Sequence, residues 1–225
     1  MGILKVDGIN RRFQVGAEEV KVLKGVSMTV EQGTFNLLLG PSGSGKTTLL
    51  NILGTLDRPN EGEVSFDGED MLALSSDQQD LLRRTRLGYI FQSVALMSNM
   101  TAYENVDLFL RINGYDVQLR DKRINEVMGF VGLEKRMHHY PSEMSGGEQQ
   151  RVAIARSIAH RPKLILADEP TAELDTATGL KVVSLFKEMI VENGVTIIMC
   201  THDRSLISYA DHIFEMEDGV LTSVR

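Results

Sequence analysis

The run Gly40-Pro-Ser-Gly-Ser-Gly45-Lys46-Thr47 follows an apolar stretch, Phe35 to Leu39, and leads into a helical pattern from Lys46 to Leu53 closed by Gly54. It fits G-x-x-x-x-G-K-[ST]. A continuous apolar run reads as a strand buried on both faces, so the loop joins a core strand to a helix. The glycines free the backbone to turn its N–H groups onto phosphate oxygens. The helix points its positive end at the same place. Lys46 then reaches β- and γ-phosphates, and the Thr47 hydroxyl is placed for Mg²⁺. Gly40, Pro41, Ser42, Gly43, Ser44, Gly45, Lys46, Thr47 and Thr48 form this candidate nucleotide cradle. The loop alone leaves kinase, GTPase and motor open.

Further strands are expected at Ile3–Val6, Lys21–Leu23, Val26–Val30, Glu63–Phe66, Leu87–Phe91, Leu164–Ala167, Val195–Cys200 and His212–Met216. Helical spacing marks Tyr103–Ile112, Arg120–Val131, Gly147–His160 and Leu180–Glu192. Strands alternating with helices predict an α/β fold with a mainly parallel sheet covered on both faces. Residues 93–144 read as a helical subdomain inserted into a core of residues 1–92 and 145–225.

The 225 residues are 42% hydrophobic with a formal net charge of -7. That balance argues against a nucleic-acid surface spread over the whole chain, and no nucleic-acid partner is expected. No run reaches the roughly 18–20 apolar residues of a membrane span, so the chain is expected to be cytosolic, with any membrane role arising through a partner. The single cysteine, Cys200, ends an apolar run and reads as a small buried hydrophobe.

Two more sites carry chemistry. The strand at Leu164 ends in Asp168-Glu169, and ligands sit at the carboxyl ends of parallel strands. Asp168 is a candidate Mg²⁺ ligand and Glu169 the candidate base that polarises attacking water. Ser145-Gly146-Gly147-Glu148 opens another helix; it reads as a second anion site or as an ordinary Ser N-cap.

The run Ser145-Gly-Gly-Glu-Gln-Gln-Arg151, about 20 residues before the acidic strand, resembles the signature motif of ATP-binding-cassette (ABC) proteins. Glu148 stands where Gln is usual, and Met144 where Leu is usual. The resemblance implies a P-loop NTPase (RecA-like) core, an N-terminal antiparallel β subdomain and the inserted helical segment. By it, Gln92 contacts Mg²⁺ and water, Asp175 lies at a dimer seam, His202 contacts the γ-phosphate and Phe13 stacks on adenine. Taken alone, Gln92 reads as a solvated side chain, His202 as structural and Phe13 as core. The resemblance further implies ATP and Mg²⁺ as ligands and two copies closed head to tail. Each phosphate loop then faces Ser145 to Gly147 of the other copy.

Asn51-Ile-Leu-Gly54, Met100 to Val106 and Asp168 to Asp175 look most like cassettes of the lipoprotein-release, macrolide-efflux and antimicrobial-peptide-resistance branch. A cell-division cassette is related to these. The branch implies a separate membrane permease, export or work outside the inner membrane, and a place on that membrane's inner face. A non-transport cassette, such as a cell-division component, is the alternative function.

Overall fold

A computed structural model describes residues 2–224. The chain opens with a hairpin of two 14-residue strands, β1 (Gly2–Val15) and β2 (Glu18–Glu31). Then come β3 (Phe35–Leu39), α1 (Lys46–Leu53), β4 (Glu61–Phe66), β5 (Glu69–Asp70), α2 (Ser76–Thr85) and β6 (Leu87–Ile90). Three helices follow, α3 (Ala102–Ile112), α4 (Val117–Phe130) and α5 (Gly146–Ile158). The chain ends with β7 (Leu164–Asp168), α6 (Thr176–Asn193), β8 (Thr196–Thr201), β9 (His212–Glu217) and β10 (Val220–Ser223).

The antiparallel strands β2-β1-β4-β5 form one sheet, and β10-β9-β3-β8-β7-β6 the other. In the second sheet every pairing is parallel except β9 with β10. Strands β3, β7 and β8 are buried at every residue, as strands covered on both faces must be. The expected α/β architecture with a separate antiparallel sheet is present.

The expected short strands near the start are instead two long ones. Asp7-Gly8 reads as a turn in sequence, but Gly8, at φ +61°, lies where the β1–β2 register shifts between Val6 and Ile9. Its amide donates to Ser27 Oγ at 2.9 Å, so the strand bulges and continues. The real turn lies at Gly16 (φ +62°). Helix α2 escaped the periodicity reading because it buries only Gln79 and Leu82. Its sequence signal was the Ser75–Gln78 capping box.

Residues 93–144 do not own a separate core. Val106 and Leu110 of α3, and Ile124 and Met128 of α4, belong to one buried cluster with Val152 and Ile154 of α5 and the sheet residues Leu37 and Ile165. Both α3 and α4 pack on α5, so α5 joins the inserted helices to the sheet. Among the described residues no helix is long and apolar enough to cross a membrane.

Just past α5, His160 is half-buried with its Nε2 2.8 Å from the Leu87 carbonyl and its ring edge-on to Phe109. Burial, aided by the nearby Arg123 charge, lowers its pKa to about 4. The unfolded ring titrates near 6.5, so it binds more protons than the folded one between those values. Stability is therefore full above pH 6.5 and falls toward pH 4, by an amount on the order of 3 kcal/mol. Denaturant melts of His160→Gln should show a flatter pH dependence over that window than the parent chain.

Candidate functional site

Four parallel strands end at one edge of the sheet, and a candidate segment follows each. The phosphate loop follows β3 at Leu39, Gln92 lies two residues beyond β6, Asp168-Glu169 ends β7, and His202 follows β8. The register puts Leu39 beside Thr201, Asp168 beside Cys200, and Ile90 beside Ala167. This edge is where ligands bind in open α/β sheets.

The loop's shape depends on close approach. A Cβ on Gly40 would lie 2.2 Å from the Met216 carbonyl oxygen, so only glycine fits. Gly43 and Gly45 sit at φ +81° and +107°, in the region that favours glycine. Gly45 precedes α1 with the Val22 carbonyl and Leu23 against it. Lys46 is only 4% exposed. Its Nζ donates to the Gly40 and Pro41 carbonyls at 2.8 and 2.9 Å and lies 3.7 Å from Glu169 Oε1. Pro41, Ser42, Gly43 and Thr47 are exposed and Thr48 is half-buried.

Glu169 adopts φ +44°, a left-handed conformation costing a non-glycine residue about 1–2 kcal/mol. Its amide is held by the Cys200 carbonyl at 3.1 Å. The carboxylate lies between Lys46 and His202, whose Nδ1 is 3.2 Å from Oε2. This backbone strain, which has no local sequence pattern, keeps the carboxylate beside the loop. Asp168 is buried, and its Oδ1 has no hydrogen-bond partner. Burial raises its pKa, and the Glu169 charge adds to that; the Thr47 hydroxyl and the Lys46 charge pull the other way.

The second Gly-rich turn lies on its own helix. Ser145 caps α5 in a reciprocal capping box: the Glu148 amide donates to Ser145 Oγ at 3.3 Å, and the Ser145 amide donates to Glu148 Oε2 at 2.9 Å. Glu148 also pairs with Arg136 at 3.2 Å. Gly147 packs closely on α6, since a Cβ there would meet Thr178 Cγ2 at 2.6 Å unless that side chain shifted. Thr178 belongs to the first turn of α6, which Asp175 caps by accepting from its amide at 3.1 Å. The signature turn and Asp175 thus share one surface.

Phe13 and Gln92 do not join the hydrogen-bonded group around Glu169. Phe13 lies on β1, 36% exposed, with the Arg11 guanidinium 4.2 Å from its ring centroid. Arg11 is held by a two-point pair to Asp57 at 2.8 Å. Gln92 is exposed, as is Phe91, which stacks on Tyr89 at 4.2 Å.

The profile of the ABC transporter family matches residues 23–172. A macrolide export ATP-binding/permease protein, MacB, of Wolinella succinogenes is 44% identical over 98% of this chain, which spans 34% of that protein. An uncharacterized ABC transporter ATP-binding protein of Methanocaldococcus jannaschii is 43% identical over 99% of both chains. Among solved structures, the dimeric post-hydrolysis state of the ATP-binding cassette MJ0796, bound to ADP and Pi, aligns with a TM-score of 0.90. Its identity is 38% over 99% of both chains. The chain belongs to the ABC transporter family.

Cys200 is fully buried in β8, and burial raises its thiol pKa well above the ordinary value. Cys200 is the small buried residue expected from the apolar run it ends. Native protein at pH 8 should release no colour from an aromatic disulfide thiol reagent within minutes, and one equivalent per chain should appear once denaturant is added.

Proposed function

We propose that this chain binds Mg-ATP at the carboxyl edge of its parallel sheet and hydrolyses it as the nucleotide-binding subunit of an ABC transporter. The observation that carries the proposal is the convergence of Lys46, Asp168, Glu169 and His202 at that edge. The loop amides and Lys46 bind the phosphates, and Phe13 offers a ring to the adenine. Glu169, held between Lys46 and His202, orients water and accepts its proton in attack on the γ-phosphorus. His202 steadies the carboxylate and contacts the γ-phosphate.

The donor set fits a divalent cation. Asp168 presents a buried carboxylate oxygen without a partner, the Thr47 hydroxyl stands beside it, and such oxygens suit Mg²⁺. Gln92 would complete the set. When bound, Mg²⁺ neutralises charge developing on the phosphate oxygens.

Ser145 to Gly147 opens a different helix from the one that follows the phosphate loop, and it shares a surface with Asp175. This supports a head-to-tail homodimer in which each nucleotide is completed by the other copy's Ser145 turn; Glu148 sets that turn's shape through the capping box. Residues 93–144 act as the helical subdomain. Beside Phe91 and Gln92, a largely apolar groove of about 350 Å³ runs between Tyr89, Met97, Leu108 and Ile112. Its continuity with the Gln92 segment suits a membrane permease as occupant. The chain would then sit on the cytoplasmic face of the membrane, serving export or work beyond it. The likeness to MacB supports that branch over the cell-division alternative.

Glu169→Gln should lower ATP turnover at least tenfold to about a hundredfold with ATP binding retained, read by phosphate release and by equilibrium binding of a fluorescent ATP. Lys46→Ala should abolish that binding. Normal turnover in the first variant removes Glu169 from its role, and unchanged binding in the second removes the loop from its own.

A further inference from the structure

The hairpin turn between β9 and β10, Asp218-Gly219, lies far along the chain from the phosphate loop and outside every motif read from the sequence. In the fold it touches the loop directly. The Gly219 amide donates to the Ser44 carbonyl at 3.1 Å, and the Gly219 carbonyl accepts from the Lys24 amide at 2.8 Å. One residue therefore ties the loop to the antiparallel sheet.

There is no slack at this junction. Gly219 sits at φ +80°, and a Cβ there would lie 2.3 Å from the Val22 carbonyl oxygen. The same hairpin supplies the Met216 carbonyl that excludes a Cβ from Gly40 at the loop's first residue. Met216 Sδ also lies against Gly45 at its end. The loop is thus held at its first residue, at Ser44 and at Gly45 by one hairpin. Backbone N–H groups that must converge on an anion gain affinity when their geometry is fixed beforehand.

We infer that Gly219 is a positioning residue for phosphate binding: the β9–β10 turn holds the loop in its anion-binding shape. The inference rests on the proposed nucleotide site. It concerns affinity for the phosphate chain and leaves the hydrolytic step to Glu169.

The molecule contains its own control. Asp67-Gly68, between β4 and β5, is a second Asp-Gly turn with φ of +53° and +83°, against +48° and +80° at Asp218-Gly219. Nothing lies within 4 Å of a Cβ on Gly68. Gly68→Ala therefore reports the strain of such a turn alone, and Gly219→Ala adds displacement of the loop.

The test is equilibrium binding of Mg-ATP and of magnesium tripolyphosphate, which lacks the base, together with steady-state hydrolysis. Gly219→Ala should raise Kd for both ligands and KM for ATP by about tenfold, roughly the weight of one hydrogen bond. Its kcat at saturating ATP should stay within about twofold. Gly68→Ala should lose thermal stability from the backbone strain alone yet keep parental Kd and KM. Equal Kd in Gly219→Ala and parent overturns the inference. Parent chain that binds neither ligand overturns the site assignment itself.

A second measurement needs no variant. Hydrogen exchange of the Gly219 amide in the parent chain should slow several-fold on saturation with magnesium tripolyphosphate, while the Gly68 amide is unchanged. An unprotected Gly219 amide at saturation also overturns the inference, whatever the fate of the variants.

Discussion

An ammonium group buried beneath a glycine loop governs this structure. Lys46 is among the most enclosed charges in the chain, and such a group is costly unless paired and hydrogen-bonded. Two loop carbonyls and the Glu169 carboxylate supply the partners. Those carbonyls turn inward only if Gly40 has no side chain, because the Met216 carbonyl occupies the space. Glu169 reaches Lys46 only by leaving β7 in a left-handed conformation. Charge pairing, loop shape and strand topology are therefore one constraint. A parallel sheet meets it by delivering all its carboxyl ends to the same edge.

The remainder of the chain supports that edge from two sides. The antiparallel sheet and the β9–β10 hairpin back the loop through Val22, Lys24 and Gly219. The inserted helices approach through α5, whose buried face belongs to the same cluster as the sheet. The first turn of α5 meets the first turn of α6 across Gly147, where Thr178 Cγ2 fills the space a Cβ would take. Two helix starts are thereby presented together, each closed by its own cap, Ser145 and Asp175.

Much of this was legible in sequence, for physical reasons. The buried strands at Leu37, Leu166 and Ile198 are continuous apolar runs, and α1 ran from Lys46 to Leu53 as its pattern predicts. The phosphate loop and the Asp168-Glu169 pair stood out as candidates because each follows such a strand, whereas His202, which alone reads as structural, entered through the family resemblance. What stayed hidden involved contacts between distant segments. Gly8 reads as a turn and is a bulge, since only the pairing of β1 with β2 distinguishes the two. Helix α2 buries too little to show a period. The meeting of Gly219 with Ser44, the strain at Glu169 and the approach of Gly147 to Thr178 have no local pattern. Phe13 and Gln92 are candidates through the family resemblance alone, and no hydrogen bond joins either to the group at the sheet edge.

The central claim is that one chain holds half of each nucleotide site. Sedimentation equilibrium of the Glu169→Gln chain with saturating Mg-ATP tests it most directly. The account predicts a mass twice the 25.0 kDa of the chain, reverting to a single chain when Ser145→Arg is added. A Glu169→Gln chain that binds ATP yet sediments at 25.0 kDa at all accessible concentrations would contradict it.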